Sequence, residues 1–121
     1  MWPFTQAKPK EKTMHLNKIT ADYATTGQIT PDQIKAIADA GYKSIVCARP
    51  DHEEGGQPSY DEVARAAEAA GLKIVHIPVS GMLGEGQVIR FHDAWTNLPK
   101  PMLGYCRSGA RAGSLYATLS K

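Results

Sequence analysis

A chain of 121 residues with 42% hydrophobic content suits one globular domain with a modest core, and leaves room for neither a second domain nor a solenoid array. A net charge of +2 with no stripe of Lys or Arg argues against a nucleic-acid partner. No stretch approaches the roughly eighteen apolar residues of a membrane helix, and the first ten residues lack the basic-then-apolar order of a secretory signal, so a soluble cytoplasmic protein with no membrane association is expected. Two cysteines make no disulfide framework, which fits a reducing compartment.

Residues 1–13, with two prolines and four charges, read as a flexible leader, and the folded domain is expected over 14–121. An apolar patch at Met14–Ile19 and Tyr23 comes first. Thr30-Pro31-Asp32-Gln33 then supplies an N-cap, a proline at the first helical position and a capping-box partner, predicting a helix from Pro31 to about Ala40. Ile34, Ile37 and Ala38 give it a buried stripe, and Gly41 suits the left-handed position past its end. Ser44–Ala48 is a short apolar run of the kind buried on both faces of a parallel sheet.

The loop Arg49–Pro58 leads to a second capping box, Ser59 to Glu62, and an alanine-rich helix to about Ala70, closed by Gly71. Leu72–Ile77 is the next strand, ended by Pro78. A third helix over about Gly86–Asn97 places Val88, Ile89, Phe91 and Trp95 near one face, with Phe91 and Trp95 as core residues. Pro99 and Pro101 break the chain before a strand at Met102–Tyr105. This alternation predicts a three-layer α/β fold around a mainly parallel sheet, whose ligand site lies beyond the carboxyl ends of the strands.

At that edge stands Leu103-Gly-Tyr-Cys-Arg-Ser-Gly-Ala-Arg111, a strand running into a six-residue loop from Cys106 to Arg111 and then a helix. A lone cysteine closing a strand is usually a small buried apolar residue. A structural cysteine, however, needs neither two arginines nor a glycine nor a helix start within six residues. Loop amides and a helix N-terminus direct positive charge inward, Gly109 permits a tight bend, and Arg111 offers a planar fork to a tetrahedral anion. Such a field would depress a thiol pKa from about 8.5 into roughly the 3.5–7.5 range, making Cys106 a thiolate nucleophile.

The loops 49–58 and 79–86 reach the same edge, and their glycines suit mobile lids. Each carries at least one carboxylate that could protonate a leaving group, although acidic loop residues are usually only solvated. Cys47, near the carboxyl end of its strand, reads as a core residue, with a reversible disulfide to Cys106 as the other reading. His15, His52, His76 and His92 show no metal-ligand spacing, so neither a metal nor another cofactor is implied. Gly113, in the last helix, suggests a close approach of helix and sheet. Leu115 and Leu119 would form an exposed apolar strip, making a homodimer an expectation.

The Cys106–Arg111 loop, read with Thr26-Gly-Gln-Ile29, Pro31, Ala40-Gly41, Arg49-Pro-Asp51, Glu53-Glu54, Gln57-Pro58 and Ile77-Pro-Val79, resembles the bacterial phosphatase-like family called beta-lactamase hydrolase-like, distant kin of the dual-specificity and tyrosine phosphatases. The resemblance runs from about Met14 to the end of the chain. It implies a cysteine-phosphatase-like fold and a cysteine-dependent phosphatase of the tyrosine or dual-specificity type, acting on a phosphorylated protein or a small phosphomonoester. In that reading Cys106 forms a phosphocysteine that water hydrolyses, while Arg111 and the amides of Arg107, Ser108, Gly109, Ala110 and Arg111 bind the phosphoryl oxygens. The general acid of relatives lies in the loop after the Lys73–Ile77 strand, where Glu85 is the carboxylate; Asp51 on the neighbouring loop is the alternative.

The usual tyrosine-phosphatase signature has His before the Cys and five residues between Cys and Arg. Here Tyr105 precedes Cys106 and four residues precede Arg111. A loop of that length is also similar to that of the rhodanese sulfurtransferases, whose cysteine carries a persulfide. Sulfur transfer therefore stands as the alternative function, beside a catalytically weak phosphate- or anion-binding module.

Overall fold

A computed structural model describes residues 15–120, so the leader expected over 1–13 lies outside the described residues. The elements run β1 (Asn17–Thr20), β2 (Tyr23–Thr26), a 3-10 turn (Pro31–Gln33), α1 (Ile34–Asp39), β3 (Ser44–Cys47), α2 (Tyr60–Ala69), β4 (Lys73–His76), α3 (Glu85–Asn97), β5 (Met102–Tyr105) and α4 (Ala110–Ala117), with a closing 3-10 turn at Thr118–Ser120. The strands order β1-β2-β5-β3-β4 in one sheet. β2, β5, β3 and β4 are mutually parallel and only β1 is antiparallel to its neighbour.

Side chains alternate across the sheet and split the core in two. Ile45, Cys47, Leu103 and Tyr105 face α1 and α2, meeting Ile34, Ile37, Val63 and Ala67. Val46, Ala48, Met102 and Cys106 face α3 and α4, meeting Phe91, Ala94, Ala112 and Leu115. The fold is thus the expected three-layer α/β, with helices on both faces of a central mainly parallel sheet.

The caps explain where helices begin. Ser59 Oγ accepts from the Glu62 amide (3.1 Å) and Glu62 Oε1 accepts from the Ser59 amide (2.9 Å), so the predicted capping box is complete. At Thr30 one half forms: its amide donates to Gln33 Oε1 at 2.9 Å, while its hydroxyl donates to Asp32. The first turn there is 3-10, which shortens the predicted helix.

Three expectations need correction. Ile89 is 61% exposed and does not join Phe91 in the core, because it lies off the stripe that α3 turns toward the sheet. Leu115 is fully buried and Leu119 packs on the same core, so the exposed strip expected of them does not exist. A Cβ at Gly113 would meet nothing, so that glycine serves no close approach. The close approach is at Gly104 in β5, where a Cβ would lie 2.9 Å from Ala112 Cβ and 2.1 Å from the Tyr23 hydroxyl. That hydroxyl donates to the Ala112 carbonyl at 2.9 Å, tying α4 to the sheet beneath the Cys106 loop.

Candidate active site

β5 ends at Tyr105, and Cys106 starts the loop, its amide donating to the Thr26 carbonyl at 3.4 Å. Gly109, with φ of +97°, turns the chain into α4. A side chain there would press on the Thr26 carbonyl, and one at Gly27 would lie 2.9 Å from the Arg107 carbonyl. Two backbones therefore meet at the loop. The helix starts at Ala110, inside the expected Cys106–Arg111 loop, so Arg111 projects from the first turn of α4.

Cys106 is buried at the floor of this loop, and the Gly109 amide donates to its Sγ at 3.0 Å. Burial pushes the thiol up, but the amides of Ala112, Ser108, Arg111 and Gly109 outweigh it and hold the pKa below the ordinary thiol value. Amides at a helix N-terminus stabilise the anion through fixed partial charges. The same donors suit a tetrahedral oxyanion on that sulfur.

Arg111 is oriented by Glu53, whose role depends on the tertiary fold. Its Nη1 donates to Glu53 Oε2 (2.7 Å) and to the Val79 carbonyl (2.7 Å), and its Nη2 donates to Glu53 Oε1 (3.0 Å). A guanidinium has five N–H groups in a fixed plane. With the outer edge taken by Glu53 and Val79, the Nε–H and second Nη2–H form the inner fork, and the nearby Cys106 thiol favours the charged guanidinium. Hydrogen bonds from Arg111 and then Arg49 hold the Glu53 carboxyl down to about 2.

Arg49 completes the network. Two residues past the end of β3 and with its side chain only 2% exposed, it donates from Nε to Glu53 Oε1 (2.8 Å), from Nη1 to Gln28 Oε1 (2.9 Å) and from Nη2 to Glu54 Oε1 (2.9 Å). Glu54 in turn pairs with Arg107 at 3.3 Å. A signal for this existed in the sequence: an arginine at the end of a buried strand with two glutamates four and five residues on. Among isolated sequence features, that pattern reads as a solvated loop.

The two carboxylates considered as general acid are placed differently. Asp51 Oδ1 accepts the Tyr60 amide at 2.7 Å, anchoring the 49–58 loop to the start of α2. Glu85 is exposed as the first residue of α3, at the end of the segment that leaves Arg111 at Val79. The 49–58 loop, expected as a mobile lid, is laced to itself: Gln57 donates to the Pro50 carbonyl (2.9 Å) and accepts the Glu54 amide (3.2 Å). Cys47 faces the α1/α2 side of the sheet while Cys106 faces the other, and both are free thiols, so the core reading of Cys47 holds in this structure. Burial pushes the Cys47 thiol up, opposite to Cys106. Among the described residues no group of three or more His, Cys, Asp or Glu side chains gathers to hold a metal, and no helix is long and apolar enough to cross a membrane.

Residues 15–121 match the family model of the beta-lactamase hydrolase-like protein, phosphatase-like domain. The chain belongs to this phosphatase-like family. The beta-lactamase hydrolase-like protein of Xylella fastidiosa strain 9a5c is 37% identical over 105 residues, covering 86% of this chain and 24% of that protein. Its counterpart in Agrobacterium fabrum strain C58 is 35% identical over 100 residues, covering 82% and 23%. The chain thus spans about a quarter of the length of these relatives. Among solved structures, a protein of Neisseria meningitidis Z2491, provisionally described as a phosphatase, is 30% identical with a TM-score of 0.78, covering 86% of this chain and 75% of that one. The catalytic core of a Saccharomyces cerevisiae PP-IP phosphatase (TM-score 0.66, 16% identity, covering 87% and 64%) and a kinase-associated phosphatase (TM-score 0.72, 11% identity, covering 91% and 76%) share the fold. The phosphatase-like family therefore carries the cysteine-phosphatase fold here, with Cys106 at the carboxyl edge of its sheet.

Proposed function

We propose that this domain is a cysteine-dependent phosphatase of the tyrosine or dual-specificity type, hydrolysing phosphate monoesters borne on a protein or a small molecule. The observation that carries the reading is the convergence of loop amides on the Cys106 sulfur, with Gly109 N at 3.0 Å and the thiol pKa lowered despite burial. The Cys106 thiolate attacks phosphorus, the S–P bond forms and the P–O bond to the leaving group breaks. Glu85 gives that oxygen its proton; Asp51, engaged with the Tyr60 amide, is the alternative donor. Water then attacks phosphorus, the S–P bond breaks and the thiolate is restored.

The phosphoryl group presents three non-bridging oxygens. The amides of Arg107, Ser108, Gly109, Ala110 and Arg111, with the inner fork of Arg111, supply donors for all three, and this preorganised set is where stabilisation of the transition state resides. The test is hydrolysis of an aryl phosphate near pH 6 by the wild type and Cys106→Ser, with thiosulfate-to-cyanide sulfur transfer run on the same preparation. Phosphate release abolished in the variant supports the reading. Cys106-dependent thiocyanate without phosphate release would replace it with sulfur transfer.

A further inference from the structure

We propose that Arg49 is the positioning residue of the cradle, the single buried cation among the described residues, which fixes both glutamates through which Arg111 and Arg107 are held. This rests on the phosphatase reading of the site. Burying a guanidinium is tolerated when it is paired and hydrogen-bonded, and each Arg49 nitrogen has a partner from one of two separate loops, Gln28 on one and Glu53 and Glu54 on the other. Its main chain is pinned as well: the Arg49 carbonyl accepts from Cys47 Sγ (3.4 Å) and lies 2.9 Å from His76 Nε2, whose ring stacks on Tyr60 at 4.5 Å.

What Arg49 controls is the direction of Glu53. Glu53 Oε1 is shared between Arg49 Nε and Arg111 Nη2, so the carboxylate sits between two guanidiniums and stays on the outer edge of Arg111. Released from Arg49, a carboxylate on an exposed loop can follow Arg111 onto the inner fork, where it competes with a phosphoryl group for the same donors. Glu54 has the parallel arrangement, with Oε1 on Arg49 and Oε2 on Arg107. Lysine keeps the charge of Arg49, but its single nitrogen cannot span acceptors that Arg49 reaches from three separate nitrogens.

The experiment measures tungstate affinity by calorimetry and the KM and kcat for an aryl phosphate in wild type, Arg49→Lys and Arg49→Lys/Glu53→Gln. Expected are a loss of tungstate affinity of about tenfold in R49K, a matching rise in KM, and partial recovery of affinity in the double variant, where the competing charge is gone. A merely structural Arg49 would lower the folded fraction, and with it kcat, without moving KM. Should R49K not fold, Gln28→Leu/Glu54→Gln loosens Arg49 from its partners and is expected to raise KM in the same direction. Wild-type affinity and KM in the folded variant overturn the proposal. Wild type that neither binds tungstate nor hydrolyses the ester overturns the phosphatase reading, and this proposal with it.

Discussion

Glu53 lies along the outer edge of Arg111, with its two carboxylate oxygens 2.7 and 3.0 Å from Nη1 and Nη2, and the Val79 carbonyl fills the remaining Nη1 donor. The arginine that faces Cys106 is therefore aimed from behind. Glu53→Gln keeps the shape but weakens a charge-assisted fork to an ordinary hydrogen bond. It is expected to reduce kcat/KM for an aryl phosphate by roughly tenfold, a loss of about 1.4 kcal/mol in transition-state binding. Steady-state kinetics check this.

The same pair sets an acid limit on stability. The Glu53 pKa, held at about 2 against an ordinary 4.5, means that the stabilisation from its arginines is fully present above pH 4.5 and fades as the pH falls toward 2. Acid unfolding followed by circular dichroism should show wild type more stable than E53Q at neutral pH, the two converging near pH 2.

The two thiols should differ in reactivity, because amides lower the pKa of Cys106 while burial raises that of Cys47. Iodoacetate, small and anionic, should alkylate Cys106 first at pH 7, and inorganic phosphate should slow it. Peptide mapping by mass spectrometry reads the site. Equal labelling of both cysteines would contradict the electrostatics of the loop.

For the general acid, Glu85→Gln should lower kcat for a poor leaving group by about a hundredfold and much less for a good one, since only the poor one needs its proton. Asp51→Asn, in contrast, removes the carboxylate acceptor of the Tyr60 amide and should lower the melting temperature. The reverse pattern would make Asp51 the acid.

Two glycines separate packing from propensity. Gly104→Ala would drive a methyl into the Tyr23 hydroxyl and Ala112, and should cost about 1–3 kcal/mol. Gly113→Ala meets nothing within α4 and should stabilise by up to about 1 kcal/mol. Thermal melts of both variants decide it.

Much of this was legible from the chain. The strands at Ser44, Lys73 and Met102 announced themselves as short apolar runs, Ser59 and Glu62 marked a helix start, and the crowding of Cys106, Gly109 and Arg111 after a strand marked the anion loop. What escaped were the relations that depend on tertiary register. Nothing in the local sequence says that Gly104, inside a strand, faces Ala112 on a helix, or that the glutamates of an acidic loop turn inward to a buried arginine and an arginine 58 residues away. Gly113 misled because glycine in a helix suggests packing, whereas the close contact was met on the sheet. Ile89 misled because α3 shows the sheet a stripe narrower than its apolar residues.

A denaturing quench during turnover of an aryl phosphate, followed by peptide mapping, meets the covalent step directly. A phosphoryl adduct is expected on the Cys106 peptide of the wild type and not in Cys106→Ser. Phosphate release with no adduct on Cys106, or release that persists in the serine variant, would contradict covalent catalysis by Cys106.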